Sequence, residues 1–207
     1  TVCVLTNMDE PLGYAVGNSL EVIEAISALK GSMPDDLKEI VLNISAEMMY
    51  LSGKYPDIEE NKFKVLLNTD YYEKESNGEA FEKFKSLVKK QGGDISYIEN
   101  IEKFEKAPII GKVVSDEEGF IEELDAGKVG KAGVELGVGR IHKEDKIDSR
   151  LGIVFNKKIG DFVKENEVLA YIHAGSKEKL DKCIKDIKNA YKFGNRKIMK
   201  KNIIEII

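Results

Sequence analysis

Pro11-Leu12-Gly13-Tyr14-Ala15-Val16-Gly17-Asn18-Ser19-Leu20-Glu21-Val22-Ile23-Glu24-Ala25 passes from a glycine-bearing loop directly into a helical pattern, and its reading decides the fold. Pro11 and Gly13 punctuate the loop, since proline presets one backbone angle and glycine reaches conformations closed to other residues. Asn18 with Glu21 three residues on has the form of a capping box. Leu20, Val22, Ile23, Ile26 and Leu29 supply a broad apolar face, and Gly31 closes the helix. Just before the loop, Val2-Cys3-Val4-Leu5 reads as a buried strand. Strand, loop and helix in that order belong to an α/β layer structure. Loop carbonyls followed by helix acids can ligate a hard cation, whereas glycines that merely permit a turn satisfy the same spacing. From the residues alone both readings stand.

Beyond this segment, Pro34-Asp35-Asp36 starts a second helix in which Leu37, Ile40, Val41, Ile44, Met48 and Leu51 recur at helical spacing until Gly53. Pro56-Asp57 opens a third helix running to about Asn68, and a fourth carries Phe81, Phe84, Leu87 and Val88 up to Gly92-Gly93. Near Pro108 the texture changes. Ile109 to Val114, Phe120 to Leu124, Leu151 to Phe155, Val168 to Ile172 and Ile203 to Ile207 are short β-branched or aromatic-rich runs between glycine turns, and they read as strands. Lys128 to Leu136 and Lys177 to Tyr191 read as helices between them, the second burying Leu180, Ile184, Ile187 and Tyr191. The expected division is therefore residues 1–105, the closing portion of an α/β domain, and residues 106–207, an α+β domain.

Composition narrows the function classes. The chain has 207 residues, 42% hydrophobic and 33% charged, which suits a packed core and argues against disorder or collagen. Thirty-two basic and 37 acidic residues are interspersed with a net charge of -5, so no basic field is offered to nucleic acid or acidic lipid. No apolar run approaches the roughly 20 residues that span a bilayer, and no signal peptide opens the chain, so a soluble protein is expected. Cys3 and Cys183 lie far apart without metal-ligand spacing, which fits a reducing cytoplasm. The chain opens at Thr1 with a run already strand-like, and a fragment is expected.

Several motifs have plain readings. Gly137-Val138-Gly139-Arg140 could present N–H groups and a guanidinium to an anion, but helix rather than strand precedes it, and a structural turn is expected. His142 and His173 lie in separate segments with no nucleophile pattern beside them, so no catalytic dyad is proposed. Glu144, Asp145 and Asp148 alternate with Lys143, Lys146 and Arg150 as a solvated, mutually compensating stretch. Lys157-Lys158 reads as exposed turn charge. Gly160 to Ile172 resembles the barrel-like half of lipoyl and biotinyl carrier domains, without a Met-Lys-Met or Asp-Lys-Ala modification motif.

Pro-Leu-Gly-x-Ala-Val-Gly-Asn followed by Glu-Val-x-Glu-Ala resembles the motif of pyrimidine-nucleoside and thymidine phosphorylases. Gly139 to Asp148, Gly152 to Asp161 and Leu169 to His173 resemble the C-terminal domain of the same family, in the same order. The resemblance implies an α/β fold: the end of a phosphorylase lobe, then an α+β C-terminal domain with lipoyl-like barrel-sandwich features. It implies reversible phosphorolysis of a pyrimidine nucleoside by phosphate, in a cytoplasmic homodimer. It also implies a potassium ion held by the main-chain oxygens of Leu12 and Ala15 and the carboxylate of Glu24, with no organic cofactor. The family's phosphate loop and base-binding residues have no counterpart among these residues, and no Lys-x-Ser-Thr-Gly-Gly-like run occurs. No catalytic residue is therefore assigned, and the chain alone is expected to be inactive. The rivals are a non-catalytic binding or carrier-like module reusing the fold, and a phosphoribosyltransferase with a similar central lobe.

Overall fold

The computed structural model describes residues 1–69, 78–140 and 142–207, and Ile141 of the Gly139–Asp148 motif lies outside them. Helices and antiparallel strands share the chain, a mixed α/β architecture, and they gather into two compact units. The first comprises Thr1–Asn7, Ile23–Lys103 and Lys201–Ile207, and the second Met8–Val22 and Phe104–Lys200. The change of texture near Pro108 falls close to the Lys103/Phe104 passage, while the loop of the opening motif belongs to the second unit.

In the first unit β1 (Val4–Thr6) pairs antiparallel with β9 (Ile203–Ile206), and the ladder is extended by Cys3 N–H to Ile207 O at 2.7 Å. Nothing local in the sequence announces that pairing. Helix α1 (Asn18–Leu29) buries Ile26 and Ala28, and α2 (Asp35–Leu51) starts after Pro34 with two acids in its first turn, where the helix dipole favours them. Helices α2 and α3 (Ile58–Thr69) pack together, and Asn61, 1% exposed, donates to the carbonyls of Ala46 and Tyr55 at 3.4 and 3.1 Å. A buried side-chain amide without such partners would be costly. Helix α4 (Glu79–Lys90) buries Phe81, and the short α5 (Ser96–Glu99) follows.

The second unit holds two antiparallel sheets. One has the order β2-β5-β7-β3, from Ala15–Val16, Gly152–Phe155, Val168–Ala174 and Ile109–Val114. The other has the order β6-β4-β8, from Phe162–Val163, Gly119–Leu124 and Tyr191–Gly194. Val113, Ile121, Leu124, Ile153, Leu169, Ile172 and Val163 form the core with α6 (Ala126–Leu136) and α7 (Lys177–Lys188), each of these seven at most 1% exposed. Asp125 caps α6 by accepting from Lys128 N–H, and Gly137, at φ 115°, ends it. The expected turn at Gly137-Val138 is thus a helix C-terminus, with Val138 N–H returning to Gly133 O.

Two local expectations are corrected. The Lys177–Tyr191 helix stops at Lys188, and Tyr191 belongs to β8, where it stacks on Phe193 at 6.0 Å between ring centroids. Its three-residue offset from Lys188 continues the helical spacing, but pairing with Leu124 on β4 wins. Asn18 does not cap α1. Glu21 instead turns back to accept from Gly17 N–H at 2.8 Å, while Asn18 donates its amide to Val138 O at 3.1 Å. Strands β2 and β6, two residues each, are too short to leave a period in the sequence.

Candidate functional site

The loop of residues 9–17 is seated on the second unit by its backbone. Asp9 O accepts from Ala126 N–H at 2.9 Å, Tyr14 O accepts from Phe155 N–H at 2.8 Å, and Ala15 and Val16 pair with Val154 and Ile153. Gly13 takes φ 67° and Gly17 φ 135°, both in the region where a side chain is strained. Gly17 also approaches β5 so closely that a Cβ would lie 2.6 Å from Leu151 O. The glycine serves close backbone approach as well as the turn.

Under this loop lies the group that the sequence reading placed in solvent. Lys158 is 6% exposed, and its ammonium donates to Pro11 O at 2.7 Å and Gly13 O at 2.8 Å. Its Nζ lies 3.6 Å from Glu10 Oε1 and 5.4 Å from the centroid of the Tyr14 ring. The Glu10 side chain, 3% exposed, also bonds Lys200 Nζ and accepts from Ile159 N–H at 3.0 Å through Oε2. A buried charge demands such company, since an unpaired ammonium out of water is prohibitively costly. The expectation of exposed turn charge holds for neither of the pair in full: Lys157 is ion-paired with Glu167 at 2.7 Å. The partners of Lys158 lie at the far end of the chain, so no local pattern could mark it.

A turn supports the lysine. Lys158 N–H donates to Asp161 Oδ2 at 2.8 Å, and Asp161 N–H returns to Lys158 O at 3.1 Å. Beside it, Tyr191 donates its hydroxyl to Lys157 O at 3.0 Å. Burial pushes the Tyr191 hydroxyl well above the ordinary phenol range, with the Glu10 and Asp161 charges adding to it, so it remains a donor.

Of the residues that the resemblance assigns to potassium, Leu12 and Ala15 lie in the loop of the second unit and Glu24 lies on α1 within the first. Main-chain oxygens with one carboxylate suit a hard cation. Next to the assigned Leu12 carbonyl, those of Pro11 and Gly13 converge on a cation of the chain's own, Lys158 Nζ.

The other sequence candidates stay apart. His142 is exposed, and its main-chain N–H donates to Asp145 Oδ2 in a local turn. His173 is on β7 opposite Gly152, and burial lowers its pKa below 6.5. Asp148 is clamped by Arg150 through two bonds of 2.9 and 2.7 Å, which hold its carboxyl below the usual range. Among the described residues no three His, Cys, Asp or Glu side chains form a metal-binding group. A groove of about 360 Å³ bordered by α6 and α7 is lined by Lys128, Lys131, Glu135, Lys182 and Asp186, and across it Lys182 pairs with Glu135 at 2.6 Å.

The second unit thus combines two antiparallel sheets, two helices with side-chain N-caps, and a glycine loop held by a buried lysine. Residues 120–194 match the family described as pyrimidine nucleoside phosphorylase C-terminal domain. Over 187 residues the chain is 41% identical to a pyrimidine-nucleoside phosphorylase of Staphylococcus haemolyticus (strain JCSC1435), covering 90% of this chain and 42% of that protein. It is 39% identical over the same length to a pyrimidine-nucleoside phosphorylase of Staphylococcus aureus (strain bovine RF122 / ET3-1), with the same coverage. The resemblance carried by the motifs is therefore shown, and it extends along nearly the whole chain. The chain spans 42% of the length of these relatives.

Proposed function

We propose that the chain is the C-terminal portion of a pyrimidine-nucleoside phosphorylase, and that the whole protein converts a pyrimidine nucleoside and phosphate into free base and pentose 1-phosphate. The supporting observation is the identity over 187 residues, 90% of this chain, together with the family match over residues 120–194. In the proposed reaction phosphate bonds to C1′ as the C1′–N bond breaks, and the base departs with the electron pair. Such a reaction needs positioning and stabilisation of charge on sugar and base, and little covalent chemistry from the protein.

The portion present supplies scaffold and the loop with the Leu12 and Ala15 carbonyls. By itself it is proposed to be inactive, in keeping with its 42% share of the relatives' length and the absence of a Lys-x-Ser-Thr-Gly-Gly-like run. Potassium, with Glu24 as a further ligand, a cytoplasmic location and a homodimer of the whole protein are proposed on the resemblance. So is the kinship of residues 160–172 with half of a lipoyl-type barrel. No described helix is long and apolar enough to cross a membrane.

The experiment is an assay of uridine and thymidine with inorganic phosphate, run on the full-length gene product and on the 207-residue chain. Base release by the full-length protein and none by the chain is the expected result. Turnover by the chain alone, or a silent full-length protein, overturns the proposal.

A further inference from the structure

We infer that Lys158 is a positioning residue, a built-in cation that sets the loop carbonyls of Leu12 and Ala15 for a monovalent metal ion. The inference deepens the proposed function and rests on it for its activity arm.

The loop is held in a particular order. The Lys158 ammonium takes the Pro11 and Gly13 carbonyls, which belong to the peptide groups joining Pro11 to Leu12 and Gly13 to Tyr14. The Leu12–Gly13 peptide, whose oxygen is the Leu12 carbonyl, therefore lies between two peptides pinned by one ammonium. On its far side Tyr14 O is taken by Phe155 N–H, and Ala15 is registered on Val154. Gly13 at φ 67° supplies the bend between them. A loop rich in free carbonyls would otherwise sample many arrangements, and a metal ion would spend part of its binding free energy on ordering them.

The charges around the lysine favour this role over a simple surface anchor. Glu10 is shared by Lys158 and Lys200, so one carboxylate faces two ammonium groups. Besides that shared carboxylate, the Lys158 ammonium binds two carbonyl oxygens, which fixes their direction as well as their distance. Two opposite effects on potassium follow. Ordering of the loop by Lys158 would strengthen binding, whereas simple repulsion between like charges would weaken it.

Full-length protein carrying Lys158→Met, with Lys158→Arg as the conservative variant, decides between them. Amide hydrogen exchange of the peptide spanning Leu12 to Gly17 reads loop order, and thermal shift against KCl concentration reads binding without activity. Phosphorolysis against KCl concentration reads the functional consequence. Lys158→Met is expected to speed exchange about tenfold and to raise the half-saturating potassium concentration about tenfold, with Lys158→Arg recovering part of both.

A half-saturating concentration that is unchanged or lowered overturns the inference even if exchange is faster, because a plain structural tether would do no more. A wild-type protein with no thermal response to potassium overturns it outright. Should Lys158→Met not fold, Glu10→Gln is expected to raise the half-saturating concentration several-fold in the same direction, and no rise refutes the role. Absence of phosphorolysis in the wild type removes the proposed function, while the exchange and thermal-shift arms still decide the positioning.

Discussion

Gly17 and Leu151 meet backbone to backbone: a Cβ on the glycine would fall 2.6 Å from the carbonyl oxygen of Leu151. The contact ties the end of the loop to the start of β5, and Gly152 repeats it from the other side, 2.5 Å from Val16 O. Both neighbours are main chain, which cannot rotate away.

Gly17→Ala is accordingly expected to destabilise the second unit by about 2–4 kcal/mol, through strain at φ 135° and the clash together. Gly130→Ala, on α6 with nothing within 4 Å of the added methyl, is the control, expected to stabilise by about 0.5–1 kcal/mol. Urea unfolding followed by circular dichroism checks both, and equal midpoints would contradict the close approach.

Removing the carboxylate under the loop leaves two ammonium groups without it. Glu10→Ala is expected to cost about 3–5 kcal/mol, the range for breaking a buried pair from one side. Asp181→Ala, which removes the exposed partner of Lys177 one helical turn away, is expected to be nearly neutral. Chemical denaturation of the two variants in parallel measures the contrast.

The two thiols differ in reach. Cys183 is 2% exposed, and burial, then the charges of Asp186 and Glu135, push its thiol up to about 12. Cys3 is exposed. A thiol reagent at pH 8 is expected to label Cys3 promptly and Cys183 only after denaturation, since the thiolate is the reacting species. Rapid labelling of two thiols in the native protein would be inconsistent with the α7 packing.

His173 gives a pH dependence of known sign. Burial lowers its folded pKa below 6.5, so the unfolded chain binds the proton more readily. Stability from this residue is complete above 6.5 and is lost as pH falls through the lower folded value. Wild-type protein is expected to lose more stability between pH 7.5 and 5 than His173→Gln, and the imidazole signal of His173 is expected to titrate below 6.5 by NMR. A midpoint above that value would reverse the sign.

Much of the architecture was legible as pattern. Ile109–Val114 is a strand with the bounds its β-branched run implied, and Pro34 with Asp35 and Asp36 begins α2. Tyr191 shows the limit. It sits at helical spacing after Ile187 yet belongs to β8, because cross-strand pairing with Leu124 outweighs local periodicity. At the candidate site the loop and its glycines could be read, but Lys158 could not.

What the linear order of residues determined was the longer helices and strands, the change of texture near Pro108 and the loop motif at 11–25, all carried by short-range periodicity and turn chemistry. Tertiary structure alone decided that β9 returns to β1 and that Lys158 is buried beneath Pro11 and Gly13. The reason is range. Spacing within a few residues governs helices and turns, whereas the burial of a charge is decided by whichever distant groups the fold brings to it.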